Sequence, residues 1–137
     1  AVAQAPDVPV ELFQQVCDIF AAAGSVSVIP ESQMDDVISV SGSSPAFFFR
    51  LADVMVRWAE ERGMDPRMAL ELTAATMKGS AEMLLHSGKT AGELTRQVCS
   101  PGGTTLAALS AFDERDFDDL IADAMTRCTN RSRELGK

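Results

Sequence analysis

The chain has 137 residues, of which 46% are hydrophobic and 23% are charged, and it carries a formal net charge of −8. This length and composition predict one folded domain with a core of its own and exclude a disordered segment. An acidic surface repels phosphate groups, so nucleic acids and membrane surfaces are not expected partners. No apolar run approaches the roughly 18 residues of a transmembrane helix. The first residues lack the features of a signal peptide, and the missing initial Met suggests a trimmed or mid-chain start.

The three cysteines, Cys17, Cys99 and Cys128, stand far apart and form no CxxC pair. This pattern supports neither a zinc site nor a disulfide framework and is typical of free thiols in a reducing cytoplasm. His86 falls at the end of a predicted helix, where a structural role is favoured. The acidic residues between 113 and 119 are interpreted as a helix start, and a divalent-cation site is the alternative. No metal site is therefore expected.

The chain opens with a predicted helix and a short predicted strand. Apolar residues recur at helical spacing over residues 8–23, and Gly24 ends the helix. Residues 25–29 alternate as a strand does and are closed by Pro30. No second convincing strand follows, and a lone strand cannot satisfy its backbone hydrogen-bonding groups. Either the segment is not a strand, or its sheet lies outside this chain.

The rest of the chain is predicted to be helical, which places it in the all-α class. Proline, glycine and capping residues mark the ends of the helices. The first three predicted helices cover residues 31–40, Pro45 to about Arg62 with Ser43 or Ser44 as cap, and Pro66 to about Ser87 after the Asp65 cap. A short helix follows the capping box of Thr90 and Glu93. Two more helices run from the 100–103 turn through Ala111 and from Asp113 or Asp116 onward.

The helix that follows Pro45 is apolar most of the way round and not along one stripe only. Its apolar residues are Phe47, Phe48, Phe49, Leu51, Ala52, Val54, Met55, Val56 and Trp58. Such a helix must be covered on all sides, and a domain this small offers few helices to cover it. We therefore predict an intertwined dimer with this helix at its centre. The alternative is the central helix of a monomeric bundle.

A glycine-rich segment, Ser-Pro-Gly-Gly-Thr-Thr at residues 100–105, precedes a helical pattern, and we call it the SPGGTT loop. Glycine lets a ligand approach the main chain. The amides of Gly103, Thr104 and Thr105 fall in or near a first helical turn, where they lack intrahelical partners and favour an anion. The hydroxyls of Ser100 and the two threonines add donors. The loop is a candidate site for a small carboxylate or phosphate, and a plain turn with a threonine cap is the alternative.

Two blocks of the sequence resemble those of the pyrroline-5-carboxylate reductases. The SPGGTT loop, with Val98 just before it, is similar to the signature of that family. The second block is similar to the family's Ser-Gly-Ser-Gly-Pro-Ala-aromatic run, and the two blocks have the family's separation. It consists of Val40, Ser41, Gly42, Ser43, Ser44, Pro45, Ala46 and Phe47, preceded by Glu31, Asp35, Asp36 and Val37. Residues 116–119 and 131–135 also resemble the family, so the likeness extends over about residues 10–135.

This resemblance implies a domain organisation and a reaction. Family members join an N-terminal dinucleotide-binding Rossmann domain to a C-terminal helical dimerisation domain, and they reduce 1-pyrroline-5-carboxylate to L-proline with NADPH or NADH in proline biosynthesis. By this resemblance, residues 1–30 are a remnant of the dinucleotide-binding domain, and residues 31–137 are the helical dimerisation and substrate-binding domain. The chain has no Gly-x-Gly-x-x-Gly motif, so alone it is expected to be inactive.

The resemblance also implies roles for individual residues. Substrate-carboxylate binding falls to Val98, Ser100, Gly102, Gly103, Thr104 and Thr105. Thr105 matches a threonine proposed to assist protonation of the ring nitrogen and is the catalytic candidate. Because a hydroxyl is a weak acid, we expect Thr105 to orient the ring nitrogen or to relay a proton to it, and not to donate the proton outright. Ser41, Gly42 and Ser43, which we call the SGS block, match residues on the nicotinamide side. The family's site combines one subunit's cofactor domain with the other's substrate loop, so a homodimer or higher oligomer is implied.

Two positions depart from the family's pattern. Ser44 stands where glycine is usual, and Phe47 stands where tyrosine is common. A serine at a helix entrance can still cap the helix, so little effect is expected from Ser44.

Two other functions stay open for the chain. One is a helical module that dimerises without catalysis, and the other is a reductase of the same build that acts on another imino or keto acid.

Overall fold

The computed structural model describes residues 1–136, and most of this range is helical, without a β-strand. The predicted all-α class is confirmed. The helices are α1 (Val10–Ala21), α2 (Met34–Val37), α3 (Ser44–Glu60), α4 (Pro66–His86), α5 (Ala91–Gln97), α6 (Thr104–Asp113) and α7 (Phe117–Leu135). None of the helices in this range is long and apolar enough to cross a membrane.

Local capping signals determine where α4 and α5 begin. The Asp65 carboxylate accepts a hydrogen bond of 2.9 Å from the Met68 amide, and Pro66 occupies the first turn of α4. Thr90 and Glu93 form the predicted reciprocal capping box at α5. These starts are confirmed as the sequence predicts them, because each depends on residues within three positions of the cap.

One compact unit consists of Ala1–Pro45 and the residues from Asp123 onward. The helix predicted over residues 31–40 is divided here into a 3₁₀ turn (Glu31–Gln33), α2 and a π turn (Ile38–Gly42). In the π turn the Ser43 amide donates to the Ile38 carbonyl at 2.8 Å. The Ser132 hydroxyl donates to Asp35, and Arg133 pairs with Asp36 at 3.1 Å. These contacts attach α2 to the end of α7.

The strand predicted over residues 25–29 does not form within residues 1–136. A single parallel bridge joins Val2 to Val28: the Val2 amide donates to the Ser27 carbonyl at 2.9 Å, and the Ile29 amide donates to the Val2 carbonyl at 3.0 Å. Val2 therefore satisfies two backbone groups of the segment. This is too little pairing for a strand, because a strand needs a neighbour along its whole length.

The second compact unit is Ala46–Ala122 and contains most of α3, all of α4, α5 and α6, and the start of α7. Within it, α5 packs against α4. Phe112 at the end of α6 stacks on Phe117 at the start of α7, with ring centroids 4.7 Å apart. This stacking closes the short connection between the two helices.

The expectation of a substantial core is wrong for the described residues. The buried apolar residues there are Cys17, Ala59 and Ala69, which are all small. The large apolar side chains of α3 stay exposed, including Phe48, Phe49, Leu51, Val54, Met55 and Trp58. The same holds for Leu70, Leu72, Met83, Leu84 and Leu85 of α4. The chain has enough apolar residues for a core, but their helix faces are not covered by its own helices.

Candidate functional site

The SPGGTT loop contains a tight turn between α5 and α6. The Gly103 amide donates to the Ser100 carbonyl at 2.9 Å, which closes a four-residue turn. Pro101 occupies its second position, and Gly102 occupies the third with a φ of 69°. Proline followed by a residue with positive φ is the pattern of a type II turn, and glycine adopts that φ without strain. The turn places α6 directly after the loop.

The N-terminus of α6 has no side-chain cap. Gly103 is the N-cap residue, with φ −79° and ψ 164°, and no side chain bonds to the first-turn amides. The alternative of a threonine cap is therefore wrong, because the helix begins one residue too early for Thr104 or Thr105 to cap it. The amides of these two threonines lie in the first turn, where no preceding carbonyl of the helix can accept them. The helix dipole adds partial positive charge at the same place.

One detail of the predicted anion site is wrong. The Gly103 amide was expected to point at a ligand, but it is used inside the turn by the Ser100 carbonyl. The donors that remain are the amides of Thr104 and Thr105 and the hydroxyls of Ser100 and these threonines. Val98 and Ser100 are exposed, as is Thr104, whereas Thr105 is half-buried. The loop has no charged side chain, so it suits a single small anion held by neutral donors.

The SGS block ends the π turn in the first compact unit. The Ser41 hydroxyl donates to the Val37 carbonyl at 3.1 Å, and Gly42 is exposed without a side chain. Ser44, the departure from the family's glycine, is buried, and its hydroxyl donates to the Val40 carbonyl at 2.7 Å. The SPGGTT loop belongs to the second unit. The two predicted groups of site residues therefore lie in different compact units of the chain.

Three polar residues near the SGS block carry no signal in the sequence. Ser39 is buried in the π turn, Thr129 is buried on α7, and Cys128 is half-buried beside it. A hydrogen bond from the Ser43 hydroxyl is the main cause that lowers the pKa of the Cys128 thiol. No motif connects residues almost 90 positions apart, so only the folded chain shows that they meet.

We expect alkylation of Cys128 to begin at lower pH in the folded chain than in the unfolded chain. Hydroxyl donors stabilise the thiolate, so they lower its pKa, and the thiolate is the species that reacts. The replacement Ser43→Ala moves the pH midpoint upward, towards that of the unfolded chain. Iodoacetamide labelling at a series of pH values, with the peptide of Cys128 followed by mass spectrometry, measures the midpoint.

The matched control is Ser110→Ala, which removes an exposed hydroxyl that bonds the Ala107 carbonyl in the other unit. It leaves the midpoint of Cys128 in place. An equal midpoint in the wild-type chain and in Ser43→Ala would contradict the assigned cause of the pKa shift.

The remaining candidate residues have structural surroundings. His86 is the last residue of α4, and its Nε2 lies 3.2 Å from a Glu82 carboxylate oxygen on the exposed surface. All three cysteines are free thiols. Among residues 1–136, no group of three or more His, Cys, Asp or Glu side chains is placed to hold a metal ion.

Comparison with known proteins matches most of the chain to one family. The family model for pyrroline-5-carboxylate reductase dimerisation matches residues 31–135. The pyrroline-5-carboxylate reductase of Methanosarcina acetivorans is 42% identical over 120 residues, which cover 88% of this chain and 44% of that protein. The Escherichia coli enzyme of the same name is 39% identical over 122 residues, covering 89% and 45%. The chain thus spans about half the length of these relatives.

Solved structures give the same result for the fold. A pyrroline-5-carboxylate reductase from Coxiella burnetii superposes with a TM-score of 0.91 at 30% identity, over 98% of this chain and 50% of that one. The Plasmodium falciparum pyrroline carboxylate reductase, solved with NADP bound, gives a TM-score of 0.90 at 26% identity, over 97% and 51%. By the extent of these matches, the chain belongs to the pyrroline-5-carboxylate reductase dimerisation family.

Proposed function

We propose that this chain is the dimerisation and substrate-binding part of a pyrroline-5-carboxylate reductase. The observation that carries the proposal is the uncapped start of α6 behind the SPGGTT loop, within a chain matched to that family over residues 31–135. The first-turn amides of Thr104 and Thr105, with their hydroxyls, bind the carboxylate of the cyclic imine. Val98, Ser100, Gly102 and Gly103 complete this loop. We place the enzyme in the cytoplasm, since its cysteines are free thiols.

The reaction joins a hydride and a proton to the imine. The nicotinamide nucleotide, NADPH or NADH, supplies the hydride when it is bound. The hydride adds to the imine carbon, the electron pair of the C=N double bond moves to nitrogen, and nitrogen takes up a proton. Thr105 is half-buried at the start of α6, where its hydroxyl orients the ring nitrogen or relays that proton. The product is the saturated ring acid, L-proline.

The SGS block fits a contact with the nicotinamide ring. Gly42 is exposed and has no side chain, and a flat ring can therefore approach its backbone closely. Ser41 and Ser43 flank it with hydroxyl groups. We assign residues 1–30 to the end of the dinucleotide-binding domain, whose other part holds the nucleotide, and residues 31–137 to the dimerisation domain. The parallel bridge of Val28 with Val2 and the exposed apolar side chains of α1 (Val10, Leu12, Ile19 and Phe20) support this division.

The exposed apolar face of α3 supports a homodimer. Phe49 is 71% exposed and Trp58 58% exposed in the single chain, although both are large apolar residues. The same helix also carries a polar stripe of Arg50, Asp53 and Arg57, in which Arg57 pairs with Asp53 at 3.0 Å. A helix with so much apolar surface is stable in water when a second copy covers it. The dimer contributes to catalysis because the substrate loop of one subunit works with the cofactor domain of the other.

Sedimentation velocity of the chain at micromolar concentration tests the dimer. We expect a dimer for the wild-type chain and a monomer for Phe49→Glu, which places a charge in the apolar face. Arg50→Glu, a neighbouring change in the polar stripe, stays dimeric. A wild-type chain that sediments as a monomer would contradict the proposal.

Activity tests the reaction. The coding sequence upstream of Ala1 is expected to encode a Gly-x-Gly-x-x-Gly unit, and the full-length protein is expected to oxidise NADPH or NADH with 1-pyrroline-5-carboxylate. An unrelated upstream segment and no turnover would favour the non-catalytic dimerisation module. A higher kcat/KM with another imino or keto acid would favour the related reductase.

A further inference from the structure

Two buried hydroxyl groups join the π turn to α7. The Ser39 side chain is 2% exposed, and Thr129 is 9% exposed. The Ser39 hydroxyl oxygen lies 2.8 Å from that of Thr129 and 2.9 Å from the Met125 carbonyl oxygen. A hydroxyl has one proton and a carbonyl only accepts, so Ser39 donates to Met125 and accepts from Thr129. Both hydroxyls are thereby satisfied inside the first compact unit.

This pair lies where the backbone departs from α-helical geometry. Ser39 is the second residue of the π turn, and the Ser43 amide closes the turn on the Ile38 carbonyl. A π turn holds one more residue than an α-helical turn, and such turns are rare and short. If the segment returned to α-helical bonding, the residues after it would rotate by about 100° about the helix axis. The direction in which the SGS block points therefore depends on keeping the π turn.

We infer that Ser39 and Thr129 are positioning residues for the SGS block. Their hydrogen bond holds the π turn against α7 and so fixes the backbone of residues 41–43. The Ser43 hydroxyl stabilises the Cys128 thiolate on α7, which adds a second connection between the same elements. The inference rests on the proposed function, in which the SGS block lies against the nicotinamide ring.

Hydrogen exchange in the 137-residue chain tests the hydrogen bond between Ser39 and Thr129 without any catalysis. We expect the Ser43 amide to exchange at least about tenfold faster in Thr129→Val, which keeps the shape of the side chain and removes the hydroxyl. Thr129→Ser retains the hydroxyl and restores slow exchange. The Ala69 amide, which donates to Asp65 at the start of α4, serves as the internal control. Unchanged exchange of Ser43 in Thr129→Val and in Ser39→Ala would overturn the inference.

Steady-state kinetics of the full-length enzyme tests the positioning. We expect Thr129→Val to raise KM for the nicotinamide nucleotide about tenfold while KM for the imine stays within twofold, and Thr129→Ser to restore the wild-type value. The matched control is Thr73→Val, the same change at a buried threonine of α4 in the other unit. Equal effects of the two valine variants, or an unchanged KM for the nucleotide in Thr129→Val, would overturn the inference.

The two measurements separate the inference from the function on which it rests. A wild-type enzyme that turns over with neither nucleotide overturns the proposed function. The inferred role of Ser39 and Thr129 in positioning the nicotinamide site is then overturned as well. An active wild-type enzyme with an unaffected Thr129→Val variant overturns the positioning role alone.

Discussion

Replacing Thr105 by alanine in the full-length reductase is expected to lower kcat/KM for 1-pyrroline-5-carboxylate by about 10²-fold. Thr105 lies in the first turn of α6, behind the N-cap residue Gly103, and in the proposed site it supplies a hydroxyl beside the amides that bind the carboxylate. Alanine leaves the backbone amide in place, so carboxylate binding is expected to persist while the step that involves the ring nitrogen slows. Steady-state kinetics with the imine as varied substrate gives kcat and KM separately.

Two further variants determine whether the hydroxyl itself is responsible. Thr105→Ser retains a hydroxyl at the same position and is expected to keep most of the activity. Ser110→Ala removes a hydroxyl from a later turn of the same helix, where it bonds the Ala107 carbonyl, and is expected to have no effect. If Thr105→Ala and Ser110→Ala have the same kinetics as the wild type, Thr105 does not belong to the site.

Replacing Gly103 by alanine is expected to deform the SPGGTT loop and to cost about 1–3 kcal/mol of stability. A Cβ atom at this position would overlap the Ser100 hydroxyl and lie 3.0 Å from the Ser100 carbonyl oxygen. The hydroxyl can rotate away, but the carbonyl is part of the turn and accepts the Gly103 amide. The turn must therefore shift to admit the methyl group, and the amides of α6 are expected to move away from the proposed carboxylate position.

The effect of Gly103→Ala on catalysis is expected to be as large as that of Thr105→Ala, about 10²-fold in kcat/KM, because a displacement of the order of 1 Å misplaces the bound substrate. Gly24→Ala is the matched control, since a Cβ at Gly24 meets nothing within 4 Å. Thermal unfolding measures the loss of stability, and proline titrated by calorimetry measures the loss of binding. Wild-type stability and affinity in Gly103→Ala would show that the turn accommodates a side chain.

Thr105→Ala and Gly103→Ala act on different parts of the same loop. Thr105→Ala removes one chemical group and leaves the turn intact, so we expect normal thermal stability with lowered turnover. Gly103→Ala changes the backbone and is expected to lower stability, affinity and turnover together. This difference distinguishes a residue that takes part in the reaction from one that shapes the loop.

The sequence by itself determined the starts of α4 and α5 and the family. Asp65 and Thr90 cap α4 and α5 as predicted, because each cap involves amides within three residues of it. The SPGGTT loop and the SGS block are continuous runs of residues, so they identify the family without any knowledge of the fold. The apolar residues around α3 likewise indicated a helix that needs more partners than its own chain supplies.

Only the tertiary structure decided which hydrogen bonds the less regular segments form. Residues 31–42 divide into 3₁₀, α and π turns, and the π turn is held through Ser39 by Thr129, which lies 90 positions later in the chain. Within residues 1–136 the strand expected over residues 25–29 is a single bridge between Val2 and Val28. Gly103 and not a threonine is the N-cap residue of α6, because the turn at Ser100 sets the first helical residue. For the π turn and the bridge the competing conformations differ locally by little, and contacts between distant residues select one of them.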